Sequence, residues 1–158
     1  MKKFAANYVI SDHGAFLKNG IVVAENDGTT IEFIDTTNDL KEIAQLLFHN
    51  GILVSNFSFR NVNNAHPLSE PEQDLKHFIF SSISKSEPFS IENLIDLGKQ
   101  IQEQFPEMKI PEIITTITEV LLHHAGFVKE NIPGIFLLMG VDLVGLHLTP
   151  KSRLKKIL

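Results

Sequence analysis

The chain has no cysteine, no tryptophan and a single tyrosine among its 158 residues. Without cysteine it can form no disulfide, no thiolate metal site and no cysteine nucleophile. Positive charge is also scarce: 14 Lys and Arg against 19 Asp and Glu leave a net charge of −5. No overall positive field therefore draws in nucleic acid or an anionic membrane. Long apolar runs are missing too. The strongest covers residues 132–141, contains Pro133, Gly134 and Gly140, and is about half the roughly 20 residues a spanning helix needs. Met1-Lys2-Lys3 resembles the start of a signal peptide. Asn7, Ser11, Asp12 and His13 interrupt the stretch before an apolar segment of about seven residues can form. A mature amino terminus, no membrane segment and a cytoplasmic location are the expectations. A Gly-rich phosphate loop, a Gly-x-Ser-x-Gly elbow and a His-Glu-x-x-His motif are all absent, and Asp12-His13-Gly14 is too short to be a nucleophile and base.

What remains is the composition of a globular protein, with 43% apolar residues and twelve phenylalanines, enough for one domain with its own core. The first third reads mainly as strand. Tyr8-Val9-Ile10, Ile21-Val22-Val23 and Ile31-Glu32-Phe33-Ile34 are β-prone runs, and Asn26-Asp27-Gly28 supplies a hairpin turn between the last two. A helix is expected from about residues 37–39, with Leu40, Ile43, Ala44 and Leu47 on one face and Gly51 as its stop. Ile52-Leu53-Val54 gives a fourth strand.

Asn61, Asn63, Asn64, Pro67 and Pro71 then form a turn-rich stretch without a period. Ser69 and Glu72 have capping-box spacing, which predicts a helix carrying Leu75, Phe78, Ile79 and Ile83. Ser90 caps a second helix, with Ile91, Leu94, Ile95, Ile101 and Phe105. Pro111 opens a third, with Ile113, Ile114, Ile117, Val120 and Leu121. Gly126 provides a left-handed stop. Strand signal returns at residues 135–139, 146–148 and 153–158. The expectation is an α+β fold: one composite domain whose strands at residues 1–58 and 131–158 form a small shared β-sandwich, with loop and about three helices over residues 59–130.

Leu17-Lys18-Asn19-Gly20-Ile21-Val22-Val23, Asp27-Gly28-Thr29-Thr30-Ile31 and Gly51-Ile52-Leu53-Val54 resemble the amino-terminal end of amidohydrolase-superfamily enzymes, the metal-dependent hydrolases that include cytosine deaminase and chlorohydrolase-like members. Ile101-Gln102-Glu103-Gln104-Phe105-Pro106, Pro133-Gly134-Ile135-Phe136-Leu137-Leu138, Val141-Asp142-Leu143 and Leu148-Thr149-Pro150-Lys151-Ser152-Arg153 resemble their last stretch. Together these cover about two thirds of the chain. The resemblance implies a β-sandwich made from both chain ends, with a catalytic (β/α)₈ barrel inserted between them. A barrel takes roughly 200 residues or more, and only about 75 separate Phe57 from Pro133. No TIM barrel is therefore expected.

In the family, Gly-Phe-Val-Asn-Ala-His-x-His follows the strand that corresponds here to Ile52-Leu53-Val54, and its histidines help hold one or two divalent ions that activate water. Aligned without gaps, Asn61 and Asn63 stand at the histidine positions. With a short insertion Asn64-Ala65-His66 matches, and the second ligand falls on Leu68. Either alignment breaks the pair.

Outside the resemblance, His123 and His124 are adjacent and would point about 100° apart on a helix, so they do not read as paired ligands. His124 lies on the stripe of Ile117, Val120 and Leu121, which fits a half-buried structural histidine. Glu119 has the spacing of a surface pair with His123. His66, with Glu70 or Glu72, is the one metal candidate left, and a loop histidine beside a capping glutamate is more commonly solvated structure. Lys151, Arg153, Lys155 and Lys156 give the last eight residues a charge of +4, in the manner of lysines that guard a sheet edge. The expectation is a non-catalytic, barrel-less amidohydrolase-like protein of structural, regulatory or binding role, with no catalytic residue, cofactor or metal. It would form a homodimer or bind a full-length relative or a small ligand. The alternative is a small metal-dependent hydrolase of C–N bonds with an unrecognised or intersubunit site.

Overall fold

The structure, a computed structural model, describes residues 1–11, 14–39, 43–62, 68–83 and 88–158. Short apolar runs, buried at every position in the case of Ile21–Ala24, lay down β1 (Lys2–Ile10), β2 (Phe16–Lys18), β3 (Ile21–Ala24), β4 (Thr30–Ile34) and the long β5 (Leu46–Asn61). Then follow α1 (Asp74–Ile83), β6 (Phe89–Ser90), α2 (Ile91–Gln104), α3 (Ile110–Glu119), a π-helical turn (Val120–His124), β7 (Phe127–Met139) and β8 (Arg153–Lys156). The class is α+β, and contacts divide the chain into two compact units, Met1–Asn56 with Ile132–Leu158, and Phe57–Asn131.

In the first unit the strand order is β4-β3-β1-β5-β7-β8, with β2 also on β1. Strands from the two chain ends thus share one open mixed sheet, apolar on both sides, in place of the two packed sheets of a sandwich. One side buries Phe4, Val9 and Val22 from the amino-terminal part together with Ile135 and Leu137 from the carboxy-terminal part. Ile157 and Leu158 pack against them. The other side buries Ala5, Ile21 and Val23 beneath Ile34, Ile43 and Leu46. Each fully buried large aliphatic side chain contributes about 1.5–3 kcal/mol, so neither chain end can be removed without stripping a core.

β1 and β5 run parallel, with a register shift between Ala6 and Tyr8. At that irregularity the Asn7 side-chain oxygen accepts the Gly51 amide at 2.8 Å, and its carbonyl accepts the Asn19 amide at 2.9 Å. Gly51 is therefore not a helix stop. It lies inside β5 at φ 139°, where a Cβ would come within 2.5 Å of the Leu138 carbonyl oxygen. The helix expected after residue 37 is absent from the described residues there. Thr37 and Asn38 are left-handed, at φ 55° and 64°, the Asp35 carboxylate accepts the Thr37 amide, and Leu46 and Leu47 already pair with β1. Leu40 lies outside the described residues. Residues 146–148 are also not a strand. Leu146 has φ 56° and His147 makes only an isolated bridge to Asp142.

In the second unit the helices follow from their caps. Ser90 accepts the Asn93 amide at 3.2 Å while the Asn93 side chain accepts the Ser90 amide at 2.9 Å, a reciprocal box at the start of α2. Ile91, Leu94, Ile95 and Ile101 are buried, as their spacing requires, while Phe105 ends the helix exposed. Buried Gln102 turns the chain after α2 by donating from Nε2 to the carbonyls of Phe105, Pro106 and Met108. Pro111 lies in the first turn of α3, which buries Ile113 and Ile117. α1 starts at Asp74, five residues beyond Ser69, so Ser69 is not its cap. Gly126, at φ 75°, supplies the left-handed residue after the π-helical turn.

Candidate functional site

The residues that most resemble a site lie together in the second unit, where α1 and α3 pack on one another and on the π-helical turn. The turn's widened geometry, with the Ala125 amide reaching back to the Val120 carbonyl at 2.8 Å, leaves the His124 carbonyl to accept the amides of Leu68 and Ser69 at 2.9 and 3.4 Å. The His124 ring adds a second tie: Nδ1 lies 3.2 Å from the Ser69 hydroxyl and 3.1 Å from the Ser69 carbonyl oxygen. A proton on Nδ1 is donated to that carbonyl. Without it the nitrogen accepts from the hydroxyl, so one tautomer serves one of the two bonds.

Beside this tie Lys76 of α1 donates to Glu119 of α3 at 2.9 Å. That bond, with the Lys76 charge and then those of His124 and His123, holds the Glu119 carboxyl below the ordinary glutamate range. Glu119 thus finds its partner across two helices and not at His123. His77 Nδ1 lies 3.2 Å from Glu70 at an exposed position. Nucleophilic catalysis would need a serine, a base freed to take its proton and an acid to orient the base. Here the Ser69 carbonyl competes for the histidine nitrogen, and the neighbouring acid is engaged by lysine. The arrangement is suited to pinning residues 68–70 against the helices.

Asn61 closes β5 and exposed Leu68 gives its amide to the His124 carbonyl, while Asn63, Asn64 and His66 lie outside the described residues, as do Asp12 and His13. His124 is half-buried and His123 exposed, as their positions on the stripe suggested. Among the described residues no three of His, Cys, Asp and Glu converge as a metal site would require. In the first unit Asp142 accepts the amides of Val144 and Gly145 at 3.1 Å each. The Gly145 amide first, then that of Val144 and the nearby His147, keep its carboxyl below the usual aspartate range. This is an Asx turn shaping the loop after β7. The Lys76–Glu119 pair spans 43 residues of sequence and carries no local signal by which spacing could find it. Among the described residues no helix is long and apolar enough to cross a membrane. Compared with protein-family models, curated proteins and solved structures, the chain matches none.

Proposed function

We propose that this chain is an amidohydrolase-like protein in which a short helical segment stands where such enzymes carry their barrel, and that it acts by binding and not by metal-dependent hydrolysis. The observation that supports this most is the shared unit of Met1–Asn56 and Ile132–Leu158. A domain assembled from two chain ends around an insertion has this layout, and the insertion Phe57–Asn131 consists of helices and short strand segments. The resemblance adds the broken ligand pair at Asn61 and Asn63, or at His66 and Leu68. A cytoplasmic location and a structural or regulatory role belong to the same reading. Its first partner is a second copy of the chain, with a full-length relative or a small ligand as further candidates.

The test is an assay of cyclic-amide hydrolysis and of cytosine deamination with zinc, iron or nickel supplied. No turnover above the metal blank is the expected result. Turnover abolished by His66→Ala would overturn the reading in favour of a small metal-dependent hydrolase.

A further inference from the structure

The two outer strands of the sheet in the first unit carry opposite charge. Over residues 25–39, which contain β4 and its flanks, the acids are Glu25, Asp27, Glu32, Asp35 and Asp39, with no Lys or Arg among them. Over residues 150–158, which contain β8, the bases are Lys151, Arg153, Lys155 and Lys156, with no Asp or Glu. All nine side chains are exposed, and among the described residues none is in an ion pair. β4 and β8 are the terminal strands in the order β4-β3-β1-β5-β7-β8.

A strand at a sheet edge offers backbone donors and acceptors to another strand, and like charges on both edges forbid the pairing. Pairing β4 with β4 sets Glu32 and Asp35 against their own copies. Pairing β8 with β8 does the same with Arg153, Lys155 and Lys156. Only the unlike pair brings acids to bases. We propose that copies of this chain associate head to tail, the acidic β4 edge of one lying along the basic β8 edge of the next. The inference goes beyond self-association by fixing its geometry. The contact joins two different surfaces, so it leaves one free edge of each kind and continues past two chains or closes as a ring. β8 is four residues long and the β3–β4 register shifts between Val23 and Ala24, so the contact is short, and charge carries much of its strength.

Sedimentation velocity of the full chain, over a concentration series at about 20 mM and about 500 mM NaCl, tests this, because the Debye length falls from roughly 20 Å to roughly 4 Å over that range. At low salt the mean mass rises with concentration beyond two chains. At high salt it returns to the 17.7 kDa of one chain. A double variant K155E/K156E takes the charge of residues 150–158 from +4 to zero, and E32K/D35K takes that of residues 25–39 from −5 to −1, so each removes most of the attraction between the two edges. Each alone associates at least about tenfold more weakly, and mixing the two restores one contact, because the acidic β4 edge of the first variant meets the basic β8 edge of the second. Circular dichroism confirms that each variant keeps its sheet, and the wild-type salt series decides independently of both. A single chain at every concentration in low salt overturns the inference, as does association indifferent to salt. An assembly that stops at two chains also overturns it while leaving self-association standing. A mixture no better than its components removes these two edges as the contact.

Discussion

Replacing Gly28 by alanine probes the meeting of the chain ends at one point. Gly28 sits at the tip of the β3–β4 hairpin at φ 93°, and its carbonyl accepts the Gly134 amide at 2.9 Å. A Cβ added there would lie 2.6 Å from the Gly134 nitrogen and 2.9 Å from its Cα. These are backbone atoms, which cannot rotate aside as a side chain can. The left-handed conformation alone costs an L-residue about 1 kcal/mol. Forcing apart two packed backbone segments costs about 1–3 kcal/mol more, and the hydrogen bond adds about 1 kcal/mol if it is lost. Gly14→Ala is the control, because Gly14 has φ 77° and nothing within 4 Å of its added Cβ. It pays only for conformation. With a urea slope of about 2 kcal/mol/M, Gly14→Ala should lower the midpoint by about 0.5 M and Gly28→Ala by about 1–2 M, followed by far-UV circular dichroism. Equal shifts for the two variants would refute the close approach of the hairpin tip to β7 at Gly134.

Ser90→Ala should cost about 1 kcal/mol by opening the capping box of α2, read as a lower thermal midpoint, and Ser90→Asp should recover most of it. Glu119 has a folded-state pKa below its ordinary value of 4.5, so its pairing stabilises the fold above that pH and is lost as pH falls through the lowered value. The stability gap between wild type and Glu119→Gln, from urea unfolding at a series of pH values, should therefore be constant above about pH 5 and shrink below about pH 4.

The helical segment was largely legible in sequence, because its signals are local. The Ser90 cap, the apolar spacing from Ile91 to Ile101 and Pro111 each act within a few residues of where they stand. The strand-to-strand crossover was not. Leu40, Ile43, Ala44 and Leu47 have helical spacing, yet parallel pairing with β1 claims the chain from Leu46 onward, and left-handed Thr37 and Asn38 turn it there. Gly51 reads as a stop in isolation; its reason is the Leu138 carbonyl, 87 residues away. Ser69 and Glu72 have the spacing of a cap, but the His124 ring and carbonyl take Ser69 instead. The side-chain cluster around Glu119 was hidden for the same reason, since Lys76 reaches it only after two helices have packed.

Whether the chain has left metal-dependent hydrolysis behind is tested most directly by the metal content of protein purified without chelators or metal-affinity resin. Elemental analysis should find zinc, iron and nickel each far below one atom per chain, with no change on His66→Ala. One or two atoms of any of them per chain, lost in that variant, would contradict the reading.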